Sequence, residues 1–373
     1  MSSIQSLPEP ISEPPKSERR TSLAVITEWL LRFGSWRRNR KFDGSALFAN
    51  ADPPVLLSQD IIKDAVPDSI PESIEVEAYL NRVKDQIDLP PLLQRTWLWT
   101  IALHRQVAET RLNRRIRGIR EMSYGFVGSG KKVSLAVIFY VRRAALIQAP
   151  PLWLEVGSHK FPIVLRPPYE DSPTSKPLSF PQGLATARAR LGKKLGTLTA
   201  AHVVSPDGNR TSVAKGQSVK CFQVDTGECQ RPIISADPVM DAALIEDGTA
   251  SGNEPTIRAN PFPGCLPVEM YSPDGQLVTG WVTEVPIPEG VVPGQYGKTP
   301  TSPAMLPLTF NGENGWSGGM VWETTAREFY GQGGMPRPYG MFVGVRKLRT
   351  RNIGRMNMLH QLELVWRLEL LDE

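Results

Sequence analysis

The apolar positions of this chain change their period near residue 124, and the change predicts helices before that point and strands after it. Residues 23–33 place Leu23, Ile26, Leu30 and Leu31 at helical spacing, and a basic cluster, Arg37, Arg38, Arg40 and Lys41, follows them. The helical period returns over 74–83 and is stronger over 92–119, where Leu98, Ile101, Leu103, Val107, Leu112 and Ile116 are interleaved with arginines. Pro90 and Pro91 suit the entry to that helix, because the first turn has no use for the N–H that proline lacks. The arginines of 111–120 read as a solvated helix face in preference to a nucleic-acid contact. Beyond Tyr124, residues 133–142, 161–165, 219–224, 268–271, 276–285 and 341–345 are short, β-branched or aromatic runs separated by Gly, Pro, Asp and Asn. Ser272-Pro273-Asp274-Gly275 is a turn between two of them. The last run, 356–371, is again helical in period.

Composition adds boundaries. Residues 1–22, rich in Pro, Ser and Glu, hold too little apolar surface to fold alone and are expected to be disordered; 52–72 reads as a proline-rich acidic linker. The chain divides on these grounds into 1–73 (disordered or linker, with one short amphipathic helix), a helical extension 74–121, and a β-rich domain 122–373. With 34 prolines and 31 glycines in 373 residues, turns and extended segments outweigh any helical bundle. The net charge of +5 is a mild excess that by itself calls for neither nucleic acid nor anionic lipid, although the basic N-terminal region offers a docking surface for a partner protein, a nucleic acid or a membrane. Three cysteines, Cys221, Cys229 and Cys265, do not make a disulfide framework; the first two are spaced to bridge a hairpin, and reduced thiols are the expectation. No signal peptide opens the chain and the early apolar run is too short for a bilayer, so a cytoplasmic location is expected.

Chemistry enters through three segments. Of four histidines, only His202 sits in an informative setting: small residues before it, Thr199-Ala200-Ala201, let the backbone pack closely and fix an imidazole on a cleft wall. Asp241 precedes an apolar strand, Ala242-Ala243-Leu244-Ile245, and so sits at a core edge where a carboxylate can accept the imidazole Nδ1–H; Asp237 is the competing carboxylate. Ser317 lies in Asn314-Gly315-Trp316-Ser317-Gly318-Gly319, a glycine-rich turn able to expose a hydroxyl beside backbone N–H groups.

Thr-Ala-Ala-His, Asp-Ala-Ala-Leu and Gly-Trp-Ser-Gly-Gly together resemble the three signature segments of the trypsin/chymotrypsin-like serine peptidases, in that family's order. The likeness extends from about Tyr124 to the C-terminus and is to a divergent, bacterial-type, non-zymogen form. It implies an all-β fold of two antiparallel six-stranded barrels, about 122–250 and 251–373, with an N-terminal extension and a C-terminal helix. It implies a Ser317–His202–Asp241 triad, an oxyanion hole from the N–H groups of Gly315 and Ser317, and substrate contacts from Val343, Gly344, Val345 and Asn311. Peptide-bond hydrolysis on a protein or peptide substrate would follow, with no metal and no cofactor; the alternative is a catalytically inactive binding module on the same fold. Trp316 departs from the family, which has Asp before the nucleophile, and so offers no charge to a newly cut N-terminal amine.

Two other motifs are weaker. Gly315-x-Ser317-x-Gly319 fits a nucleophile elbow, but no Asp separates it from the one downstream histidine, His360. The sequence from Gly125 to Lys131 approaches a phosphate-binding loop, but Lys132 stands where a metal-binding hydroxyl belongs and a strand is expected next.

Overall fold

The structure, a computed structural model, describes residues 52–72, 89–110, 112, 119–141, 152–166, 183–223, 227–249, 254–262, 264–286, 305–313, 315–331, 335–347 and 351–372. They belong to one compact unit, Ala46–Glu373. The expectations for 1–22, 23–33, the basic cluster and 74–83 lie outside the described residues, as does Asn314.

Two helices precede the strands. α1 (Gln59–Ala65) starts at Ser58, whose hydroxyl accepts from the N–H of Ile61. It falls in the stretch read as a linker, yet Leu57, Ile62 and Val66 are buried in the largest apolar core. α2 (Pro91–Glu109) begins on proline as expected; Leu112 beyond it is again helical, and 111 and 113–118 lie outside the described residues. It packs into the domain: Leu98, Ile101 and Leu103 are fully buried in the same core, and Trp97 meets Phe262 edge to face.

Eighteen strands among the described residues form three sheets. In chain order they are β1 (Ile119–Val127), β2 (Ser134–Val141), β3 (Trp153–Val156), β4 (His159–Arg166), β5 (Ala187–Leu191), β6 (Lys194–Ala200), β7 (Ser218–Gln223), β8 (Gly227–Asp237), β9 (Ala242–Thr249), β10 (Thr256–Ile257), β11 (Pro267–Tyr271), β12 (Leu277–Trp281), β13 (Glu284–Val285), β14 (Leu306–Pro307), β15 (Met320–Glu323), β16 (Arg337–Lys347), β17 (Asn352–Met358) and β18 (Glu369–Leu371). The sheet orders are β13-β1-β2-β4-β3, then β10-β18-β5-β6-β9-β8-β7, then β12-β11-β15-β16-β17-β14.

The six-stranded sheet curls until its outer ends meet. Val282 bridges Leu308, and Thr309 N–H donates to Trp281 O at 2.9 Å. The turn at Ser272–Gly275 forms as read, with Gly275 N–H donating to Ser272 O and Gly275 at φ 79.

The first half differs from the two-barrel expectation. Residues 119–166, assigned from sequence to the first barrel, pair within a sheet of their own, in which β2 runs parallel to β4. The reason lies in β2: Leu135 through Tyr140 are all buried, so both faces are covered, with Leu135, Val137 and Phe139 in the core shared with α2. The sheet that carries β6 and β9 has seven strands, and β18 joins it from the chain's end. The C-terminal helix is therefore shorter than its periodicity predicts. Residues up to Met358 pair with β16, α3 (Ala201–Val204) and α4 (Thr325–Tyr330) being the helices that intervene earlier, and α5 spans only Leu359–Trp366 before Arg367 turns the chain at φ 54. The near phosphate loop is β1 followed by one 3₁₀ turn and β2, with no helix to receive a phosphate.

One buried ionic cluster joins the five-stranded sheet to the segment leaving the six-stranded one. Glu284, on β13 beside β1, is paired with Arg166 and accepts from Ser123 Oγ and Tyr140 OH, both at 2.6 Å. Arg166 is 2% and Glu284 0% exposed. Removing one member of such a pair leaves a buried, uncompensated charge. Glu284→Ala should therefore lower the unfolding free energy by about 3–5 kcal/mol. Denaturant titration checks this; a loss below about 1 kcal/mol would show that the pair is not structural.

His104 on α2 supplies a pH dependence. It is buried, shares a 2.8 Å hydrogen bond with Tyr124 OH, and desolvation lowers its pKa from the usual 6.5 to about 4. Above pH 6.5 the folded and unfolded imidazoles are both neutral. As pH falls from 6.5 to about 4 only the unfolded chain takes up the proton, so stability is lost across that window, by about 3 kcal/mol in all. His104→Gln should flatten the stability-against-pH curve there by about one proton. Equal slopes for the two proteins would contradict the assignment.

Candidate functional site

The register of two strands brings His202 and Asp241 together. β6 and β9 are antiparallel with Ala200 opposite Ala242, so the residues just past β6 and just before β9 meet at one end of the sheet. The chain then turns into α3, whose first residue, Ala201, donates its N–H to Asp241 O at 3.0 Å. Asp241 sits at φ 48, a left-handed conformation that aspartate tolerates better than most residues. Its two carboxylate oxygens divide the work. Oδ1 accepts the backbone N–H of His202 at 3.0 Å, and Oδ2 lies 2.7 Å from His202 Nδ1. The ion-pair geometry is nearly dry, with the side chains of His202 and Asp241 9% and 7% exposed. Nδ1 is thereby committed to the carboxylate, which leaves Nε2 as the ring nitrogen free to exchange a proton.

The competing carboxylate has a different task. Asp237 Oδ1 accepts from the N–H groups of Val239 and Met240 and so caps the turn that delivers Asp241.

Ser317 arrives from the other half of the chain, in the turn that enters β15. Gly315 and Gly318 flank it at φ 94 and 91, which favours glycine at both places. At Gly318 the requirement is also steric, because a Cβ there would overlap Leu184 O and Thr199 Oγ1. Four hydrogen bonds hold the turn. Leu184 N–H donates to Ser317 O at 2.8 Å, Thr186 Oγ1 to Gly318 O at 2.6 Å, Gly318 N–H to Phe342 O at 2.8 Å, and Gly319 N–H to Trp316 O at 3.0 Å. Thr199 Oγ1 fixes Leu184 in turn, at 2.7 Å from its carbonyl. Among the described residues the N–H groups of Gly315 and Ser317 donate to no acceptor, and no hydrogen bond joins Ser317 to His202.

The sequence does not mark the Leu184–Thr186 strap, and it marks Thr199 only as one of the small residues before His202. Their polar atoms serve the backbone of the turn, and nothing in local sequence shows a contact across 132 positions. Val343, Gly344 and Val345 lie on β16 next to Phe342, which holds Gly318. The register shifts between Phe342 and Gly344, so Val343 falls in a bulge and is buried at 3% exposure, while Val345 is partly exposed. Asn311 is exposed and its Oδ1 accepts from Gly312 N–H. Trp316, in place of an acid, packs obliquely against Phe342 at 6.1 Å between ring centroids.

Among the described residues no group of three or more His, Cys, Asp or Glu is placed to hold a metal ion, and no helix is long and apolar enough to cross a membrane. No family model and no curated protein matches the chain. Among solved structures it is similar to a Nocardiopsis protease, at 16% identity and a TM-score of 0.31 over 51% of this chain and 98% of that one. It is also similar to a glutamic-acid-specific serine protease, at 14% identity and a TM-score of 0.30 over 50% and 92% of the two chains. A Cellulomonas bogoriensis chymotrypsin is similar at 14% identity and a TM-score of 0.30 over 51% and 98%. At these TM-scores the likenesses carry no weight for the chemistry of the site, which rests on the contacts described above.

Proposed function

We propose that the chain is a serine endopeptidase in which Ser317 Oγ attacks the scissile carbonyl, His202 Nε2 takes and returns the proton, and Asp241 orients the imidazole. The observation that carries this reading is the two-pronged grip of Asp241 on His202, through Nδ1 at 2.7 Å and the backbone N–H at 3.0 Å. A carboxylate that only capped a turn would have no need of the ring nitrogen. Held this way, the imidazole presents Nε2 as an acceptor, and the charge it gains during proton transfer is balanced by a buried anion. The free N–H groups of Gly315 and Ser317 suit a developing oxyanion, since donors already spent on protein acceptors could not serve. In this reading Val343, Gly344, Val345 and Asn311 border the bound peptide, and the acyl-enzyme forms and breaks without metal or cofactor.

One observation favours the second reading, a non-catalytic binding module: the missing hydrogen bond between Ser317 and His202. Hydrogen bonds of this kind are often long in unliganded enzymes and tighten when substrate binds. The two readings part at the serine, because only an activated hydroxyl reacts with a fluorophosphonate.

Wild-type protein should be labelled at Ser317, and Ser317→Ala should abolish both labelling and hydrolysis of a peptide library, with unchanged thermal unfolding. Asp241→Asn keeps a residue that accepts the left-handed backbone, yet it cannot hold the same imidazole tautomer. Its hydrolysis rate should fall by about 10³–10⁴ while the fold persists. Folded wild-type protein that takes no label would leave the binding-module reading in its place.

A further inference from the structure

The hairpin of β7 and β8 holds two of the three cysteines opposite each other. Cys221 and Cys229 are register partners across this antiparallel pair, and β7 is the terminal strand of the seven-stranded sheet. Their place in the hydrogen-bonding ladder follows from the start of the hairpin. Ile233 N–H donates to Gln217 O at 2.9 Å, and Gly216, at φ 84, donates to Ile233 O at 2.8 Å, which makes a glycine bulge there. Hydrogen-bonded pairs then recur every second residue, at Val219 with Arg231 and at Cys221 with Cys229. Pro232, which has no N–H to give, falls opposite Ser218 in the intervening non-hydrogen-bonded pair, as this phase requires.

We propose that Cys221 and Cys229 form a reversible redox pair, closing a cross-strand disulfide by exchange with a low-molecular-weight disulfide such as glutathione disulfide. In the first step one cysteine thiolate attacks the small disulfide and releases one thiol, leaving a mixed disulfide. The second cysteine then attacks the protein sulfur of that mixed disulfide and releases the second thiol. Overall two protein thiols are oxidised, one small disulfide is reduced to two thiols, and no other oxidant is consumed.

Register explains both why the bond forms and why it opens again. Cα atoms of a hydrogen-bonded pair stand about 5.5 Å apart, within the range a disulfide spans. In such pairs Cβ atoms generally stand toward the wide end of about 4.5–5.5 Å, whereas a relaxed disulfide needs about 3.5–4.5 Å. Closure therefore pulls the strands together by about 1 Å, and a disulfide made under such strain is readily reduced. Access is available, since Cys229 is only half-buried. Cys265 is the internal control: it is 2% exposed and burial raises its pKa well above the usual range, so it has neither access nor thiolate.

The experiment treats full-length native protein with glutathione disulfide, alkylates the remaining thiols and maps them by mass spectrometry. No Lys or Arg lies between Cys221 and Cys229, so one tryptic fragment starting after Lys220 carries both cysteines. That fragment should lose both alkylation sites and be two hydrogens lighter, with Cys265 alkylated only after denaturation. An excess of reduced glutathione should restore both sites in the native protein. Cys221→Ser should instead leave Cys229 as a stable mixed disulfide. Three results each overturn the proposal: two thiols that stay alkylatable in the wild type, a persistent mixed disulfide at Cys229 in the wild type, or a bridge that resists reduced glutathione.

Discussion

The turn around Ser317 is held by backbone contacts too close for any side chain at Gly318, and the rest of the site takes its position from that constraint. On one side Leu184 and Thr186 bond the carbonyls of Ser317 and Gly318, and Thr186 N–H in turn bonds Leu198 on β6, four residues before His202. On the other side Gly318 and Gly319 exchange hydrogen bonds with Phe342 on β16. The turn is thus fastened to both sheets at once, and the distance between serine and histidine is a property of the two sheets and not of a loop. Such fastening is what catalysis by orientation requires, since a misplacement of about 1 Å can cost two orders of magnitude in rate.

The polar groups of the interior fall into two kinds. The Asp241–His202 pair is buried but only partly engaged: each carboxylate oxygen has one partner on the same residue, and the pair uses only one of the two ring nitrogens. The Glu284 cluster is buried, with Arg166, Ser123 and Tyr140 converging on one carboxylate. The first arrangement leaves one ring nitrogen outside the pair; the second draws three side chains onto one carboxylate and locks a sheet to a segment. That contrast, more than burial alone, separates a site from a structural ion pair.

The β7–β8 hairpin adds a chemical possibility of another kind at the sheet's far edge. Asp237 ends β8 and caps the turn that presents Asp241, so the strand that carries Cys229 also leads to the candidate site. The two features sit at opposite ends of an eleven-residue strand.

The sequence by itself marked the candidate residues and fewer than half of the strands. Small residues before His202, an apolar strand after Asp241 and glycines around Ser317 are local requirements, so they are written locally. The same is true of the Ser272–Gly275 turn and of the proline entry to α2. Only the tertiary structure decided which sheet each strand joins. The alternation of β1 and β4 does not say that they flank β2 in a mixed sheet apart from β6 and β9, because pairing partners are chosen by burial of whole faces. Nor does helical periodicity over 356–371 reveal that its ends are claimed by β16 and β5, whose open edges offer ladder hydrogen bonds that a helix would forgo. The linker reading of 52–72 failed for the same reason: composition counts prolines and acids, whereas the fold uses Leu57, Ile62 and Val66, three apolar side chains spaced to cover one core. The strap from Leu184 to Ser317 was beyond reach of the sequence altogether, since it is made of backbone atoms that every residue possesses.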